Sequence, residues 1–170
     1  GLSHQPFSDE ASLIRVEHRT RPFYFWRNKH PFNDYMGARI AEDKAFQHEI
    51  FARLGLPVPH TLQVFNPLAD PRFDRYKTHR TIDEMVADIE RQFAFPVVVK
   101  KYRSSLAQGV FLAHQPSALA QRLQSLFQNS AYSDNIVLIQ AYVPGPEYRV
   151  VATQDHLLLA YGKEGETAGQ

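Results

Sequence analysis

Apolar positions fall in short runs separated by turn signals, and their spacing predicts a sequence of small elements. In Leu13-Ile14-Arg15-Val16-Glu17-His18 they mark one short strand inside an otherwise irregular segment, residues 1–35. Residues 36–54 predict a helix with Phe46, Ile50 and Leu54 on one face, stopped by Gly55 and by Pro57 and Pro59. Thr61–Phe65 alternates like a strand, and 66–80 is a loop broken by Pro67 and Pro71. Thr81 with Glu84 has the form of a capping box opening a helix whose apolar face is Ile82, Met85, Val86, Ile89 and Phe93. Phe95-Pro96-Val97-Val98-Val99-Lys100-Lys101 then predicts a buried strand. A small polar loop and a second strand, Val110–Ala113, follow. Pro116-Ser117 opens a helix with Leu119, Leu123, Leu126 and Phe127 inward, and Ile136–Gln140 is a further buried strand. After the bend Val143-Pro144-Gly145-Pro146 come two more strands, Tyr148–Ala152 and Leu157–Tyr161.

From residue 60 to 139 the order is strand, helix, strand, strand, helix, strand. This predicts an α+β lobe, a small sheet with helices on one face. Residues 36–59 lead into that lobe. Residues 140–170 form a hinge and the first strands of a second lobe that is only begun.

Composition narrows the class. With 170 residues, 44% hydrophobic and 22% charged, the chain is that of a globular domain with its own core. A net charge of +1 gives no argument for nucleic acid or membrane, and no apolar run is long enough to span a bilayer. The absence of cysteine excludes thiol catalysis and cysteine-bound zinc and fits a reducing, cytoplasmic setting. Both ends have the look of a cut chain, so a fragment is expected.

The familiar chemical signatures are missing. The chain has no Walker-type phosphate loop, no Gly-x-Gly-x-x-Gly, no serine-hydrolase elbow and no histidine spacing suited to a metal. What remains is Lys100, placed where a buried strand emerges. A lysine there can meet a phosphate, with amides of the loop 102–109 over the same anion. The same residues also describe a hairpin whose edge lysines are solvated. Residues 15–30 interleave Arg15, Arg19, Arg21, Arg27 and Lys29 with Phe23, Tyr24, Phe25 and Trp26. That pattern is compatible with single-stranded nucleic acid, with aromatics buried on a neighbouring lobe, or with a segment beside an active cleft.

Three segments in order resemble the ATP-grasp carboxylate–amine ligases. They are Ile40-Ala41-Glu42-Asp43-Lys44 leading to Gly55-Leu56-Pro57-Val58-Pro59, then Phe95–Lys100 with Ser104-Ser105 and Gly109-Val110, then Ile136–Val150 with its Glu147-Tyr148-Arg149-Val150. Within that family the look is that of the cyanophycin synthetase, glutathione synthetase and ribosomal-protein glutamate ligase branch. The resemblance implies an ATP-grasp fold with nucleotide between two small sheets. It implies ATP and Mg2+ as cofactors, and a small carboxylate or amino-acid-like substrate activated as an acyl phosphate and joined to an amine. Lys44 and Lys100 would reach phosphates. Ser104 and Ser105 would belong to a lid, and Gly109 would permit its turn. Gln140, Ala141, Tyr142 and Val143 would lie beside adenine, Glu147 would take the ribose, and Arg149 would face phosphate or acyl phosphate. Gln140 departs from the glutamate common at its position, and Lys101 from a proline. No residue here matches the family's magnesium ligands, which are expected beyond residue 170, so turnover by this chain alone is not expected. A catalytically silent nucleotide-binding module is the alternative reading, and nucleic-acid binding through residues 15–30 the remoter one.

Overall fold

The computed structural model describes residues 2–8, 12–26, 29–102, 109–128 and 135–163. Two compact units divide the chain, Gly1–Glu42 and Asp43–Gln170.

In the first unit, strands β1 (Ser3–Pro6), β2 (Leu13–His18) and β3 (Arg21–Trp26) form an antiparallel meander in that order, followed by helix α1 (Tyr35–Glu42). This differs from the irregular segment expected for 1–35. β2 is the strand its alternation predicts. β1 is polar, and β3 is continuously aromatic after Pro22, so neither has a period-2 pattern of its own. Register supplies the order instead: Ile14 lies opposite Phe25 and Val16 opposite Phe23, and Phe32 packs on both rings. The other face carries Arg15 opposite Tyr24 and Leu13 opposite Trp26.

The expected single helix over 36–54 is two helices. Asp43 is extended (φ −98°, ψ 101°) and caps α2 (Lys44–Arg53) by accepting a hydrogen bond from the Phe46 N–H, 3.0 Å. A short acceptor side chain that satisfies a free amide of the first turn begins a new helix there. Phe46 and Leu54, expected to line an inward face, are exposed. Gly55 ends α2 at φ +70°, a left-handed conformation that glycine adopts without a Cβ penalty.

The second unit is built on a four-stranded antiparallel sheet ordered β4 (Thr61–Phe65), β7 (Ile136–Ala141), β5 (Val97–Lys101), β6 (Val110–Ala113). Helices α3 (Ile82–Gln92) and α4 (Pro116–Gln128) pack on one face. Met85, Val86, Ile89 and Phe93 meet Leu119, Leu123 and Leu126 over Val64, Val97, Val99, Ala113, Val137 and Ile139. The predicted lobe order is therefore observed, with Met85 in the core. Thr81 caps α3 through the Glu84 N–H, 3.1 Å, but the Glu84 carboxylate reaches back to the Arg80 N–H, 2.7 Å, one residue before the usual partner. β8 (Glu147–Ala152) and β9 (Leu157–Lys163) form a separate two-stranded sheet, exposed on both faces over its described side chains.

The 66–80 segment is anchored, with a 3-10 turn at Pro71–Tyr76. Phe73 and Tyr76 pack on Phe65, Lys77 donates to the Ala69 carbonyl at 2.6 Å, and His79 Nε2 lies 3.1 Å from Asp88 of α3. The hydrogen bond from His79, then those from Gln92 and Arg91, holds the Asp88 carboxyl below its ordinary range. A depressed carboxyl stabilises the fold above its unfolded pKa, and that contribution is lost as pH falls through the folded value. Asp88→Asn should therefore lower the urea midpoint at neutral pH, with the gap to wild type closing below about pH 3.9. A gap independent of pH would contradict this anchoring role.

Candidate functional site

β5 lies inside the sheet, between β7 and β6, so Lys100 is not an edge residue. Successive strand residues point to opposite faces. Val97 and Val99 enter the core, and Val98 and Lys100 face away from the helices. Lys100 pairs with Leu138, Val98 with Gln140, and Gln140 also with Thr61 of β4. Residues directly opposite share a face, so Lys100, Gln140 and Thr61 stand together over Val98 and Leu138.

A directed hydrogen-bond chain links them. Lys100 Nζ donates to Gln140 Oε1 at 2.8 Å, and Gln140 Nε2 donates to Thr61 Oγ1 at 2.8 Å. The Thr61 hydroxyl donates to the Pro59 carbonyl at 3.0 Å, which His48 Nε2 also reaches at 2.8 Å. An ammonium has only donors and a carbonyl only accepts, so the orientation of the Gln140 amide is fixed from both ends. Both ends of that amide are engaged within the sheet.

Lys44, the first residue of α2, is the second cation. Burial, and then the charge of Lys44, push Lys100 below the ordinary lysine range. Lys44 also sits at the positive end of its helix dipole, where a cation is disfavoured. Asp43, next to it and 7% exposed, accepts a hydrogen bond from the Tyr102 hydroxyl just past β5. Among the described residues Lys100 makes no ion pair, and its hydrogen-bond acceptor is a neutral amide. A lysine held this way, with a second cation near it, is suited to meet an anion such as phosphate.

The other expected residues fall elsewhere. The Ala141 N–H donates to the His60 carbonyl at 2.8 Å, and its side chain packs against the core. Tyr142 and Val143 are exposed just past β7. Glu147 and Arg149 lie two residues apart on β8, opposite Lys163 and Tyr161, on the separate hairpin. Ser104 and Ser105 lie outside the described residues. Gly109 has φ +72°, and an added Cβ would meet the Lys101 side chain at 3.0 Å, so glycine is required at this turn. No group of three or more His, Cys, Asp or Glu suited to a metal occurs among the described residues. No helix among them is long and apolar enough to cross a membrane. In the first unit, Arg15 is bonded to Glu17, and Lys29 and Arg39 are paired with Glu42.

Thr61, Tyr102 and the capping role of Asp43 are not singled out by sequence. The alternation of β4 puts Thr61 on the face of Gln63, a usable signal once the phase of Gln140 is known. Tyr102 carries no local signal, because its partner lies 59 residues away.

Residues 41–166 match the RimK-like ATP-grasp domain, and the chain belongs to that family. Its α+β architecture is an ATP-grasp fold, as the three-segment resemblance implies. A D-alanine–D-alanine ligase of Ruminiclostridium cellulolyticum is 29% identical over 112 residues, which are 66% of this chain and 26% of the ligase. Among solved structures, a RimK domain ATP-grasp protein of Sphaerobacter thermophilus superposes with a TM-score of 0.55 at 18% identity, covering 75% of this chain and 43% of that one. A D-alanine–D-alanine ligase of Bacillus anthracis complexed with ATP gives 0.50 at 22% identity, covering 72% of this chain and 34% of that one. The chain thus spans between 26% and 43% of the length of these relatives.

Proposed function

We propose that this chain is the ATP-binding part of a ligase that activates a carboxylate as an acyl phosphate and joins it to an amine. The observation that carries the reading is the pair Lys44 and Lys100, with Lys100 oriented on the open face of the sheet by a neutral amide rather than neutralised by a carboxylate. Membership of the ATP-grasp family supports the nucleotide as the anion, and the Bacillus anthracis ligase is a relative of this fold complexed with ATP.

In this reading Lys44 and Lys100 hold phosphate oxygens as point charges, and the Gln140–Thr61–Pro59 chain keeps the Lys100 ammonium aimed. Val98 and Leu138 form an apolar floor. Tyr142 and Val143 lie beside the base, and Glu147 takes the ribose. Arg149, with Ser104 and Ser105, acts at the phosphates. The terminal phosphoryl group passes from ATP to the carboxylate oxygen. The amine then attacks the acyl carbon and releases phosphate. Catalysis here is positioning and neutralisation of charge. Magnesium would supply further charge neutralisation, and none of the described residues is assigned to it.

Calorimetric titration of the chain with ATP and magnesium tests the reading. Saturable binding that requires Lys100 supports it, and a folded chain that binds no nucleotide overturns it for these residues.

A further inference from the structure

We infer that Tyr102 is a positioning residue: its hydroxyl, bonded to Asp43, holds the Lys44 ammonium against Lys100 and so assembles the two-cation site. The inference rests on the reading of that pair as a phosphate site, yet it concerns a bond whose effect can be measured without nucleotide.

The geometry is a four-cornered arrangement. Lys100 and Tyr102 are two residues apart at the end of β5, and continued alternation puts them on one face. Asp43 and Lys44 are consecutive at the start of α2. One pair of corners, Tyr102 and Asp43, is hydrogen-bonded. The other pair, Lys100 and Lys44, consists of like charges that repel. That repulsion works against the approach of the first turn of α2 to the strand. A hydrogen bond to a buried carboxylate is of the size needed to oppose it, because charge-assisted bonds in a low-dielectric setting are strong.

Asp43 divides its two oxygens between these duties. Oδ1 caps the helix through Phe46 N, and Oδ2 accepts from the Tyr102 hydroxyl. Capping alone needs one oxygen and does not need a carboxylate, since serine or asparagine serves as well. A buried carboxylate at this position is therefore explained by its second partner. His48 also ties α2 toward β4, through the Pro59 carbonyl. It sits a full turn further along the helix than Lys44.

The test reads the titration of Lys100 by side-chain NMR in the chain as it stands. Four proteins are compared: wild type, Lys44→Met, Tyr102→Phe and the double variant. In the wild-type background, Lys44→Met should raise the Lys100 midpoint, because a neighbouring cation is removed. In the Tyr102→Phe background that increment should fall to less than about half, because Lys44 is no longer held near. A loss of burial alone would raise the midpoint in both backgrounds and leave the increment unchanged, and that result would overturn the inference. An absent increment in the wild-type background would overturn it as well.

Should Tyr102→Phe fail to fold, Asp43→Ser keeps a capping oxygen and removes the partner of Tyr102, and the same loss of increment is expected. In parallel, Tyr102→Phe should weaken ATP–magnesium binding about tenfold, the loss of one charge-assisted contact. If the wild-type background shows the increment but the chain binds no nucleotide, the nucleotide reading fails and the role of Tyr102 stands.

Discussion

Lys100→Met is expected to weaken nucleotide binding by about one to two orders of magnitude while the chain stays folded. The lost contact is a charge-assisted bond to phosphate, worth about 1.5–3 kcal/mol, or roughly 10- to 150-fold in affinity. Methionine is unbranched and close in length to the lysine stem, so it fills the space over Leu138 without strain. The fold should not suffer, because the protonated ammonium is itself a cost. Its pKa is lowered by burial and then by Lys44. A lysine whose folded pKa lies below its unfolded value penalises the fold below the folded pKa. The penalty fades as pH rises from the folded value to the unfolded one, about 10.4. The variant should therefore match or exceed wild type in denaturant midpoint at pH 7, and lose any advantage above about pH 10.4. Calorimetry and urea unfolding at two pH values give both halves of the result. Undiminished binding by Lys100→Met would remove Lys100 from the site, whatever the stability data show.

The parts of this molecule legible in the sequence are those where local pattern and tertiary demand agree. Val97–Lys101 and Ile136–Ala141 are buried strands with continuous apolar runs, and Thr81 announces α3 by its own side chain. Their order was enough to give the sheet-and-helix lobe. The N-terminal meander was illegible because β1 and β3 lack alternation and are defined by cross-strand partners such as Phe23 and Val16. Asp43 was hidden for a different reason. Glu42-Asp43-Lys44 looks like the solvated face of one helix, yet Asp43 is buried and begins a second.

The candidate site follows the same division. Lys100 was legible from the apolar run that it ends, whereas Lys44 came only from resemblance to a family. The bonds that aim Lys100 join residues 40 and 79 positions apart, Lys100 to Gln140 and Gln140 to Thr61. No local pattern encodes such pairs, since they exist only once β4, β7 and β5 are in register. The β8–β9 hairpin was legible as two strands, and Glu147 and Arg149 lie on the first of them.

Neighbouring residues of β7 separate stability from binding. Ile139 belongs to the core cluster between sheet and helices, whereas Leu138 is equally buried but lies on the opposite face, directly across from Lys100. Ile139→Ala should cost about 2–5 kcal/mol, because deleted methylenes leave a cavity that packed helices fill only in part. For a chain of this length that is roughly 5–15 °C in melting temperature. Protein that remains folded should bind nucleotide as wild type does, since no group on the open face has moved. Leu138→Ala should cost a comparable amount, because Leu138 is equally buried. It should also weaken nucleotide binding several-fold and return the Lys100 midpoint toward the ordinary lysine range. The reason is physical: Leu138 is the apolar surface under the lysine stem, and burial is the larger of the two causes that depress Lys100. Urea unfolding, calorimetry and the Lys100 titration on the two variants test this contrast. If Ile139→Ala weakens binding as much as Leu138→Ala does at a temperature where both are folded, the open face is not the nucleotide face. If Leu138→Ala leaves the Lys100 titration unmoved, Leu138 is not what keeps water from the ammonium.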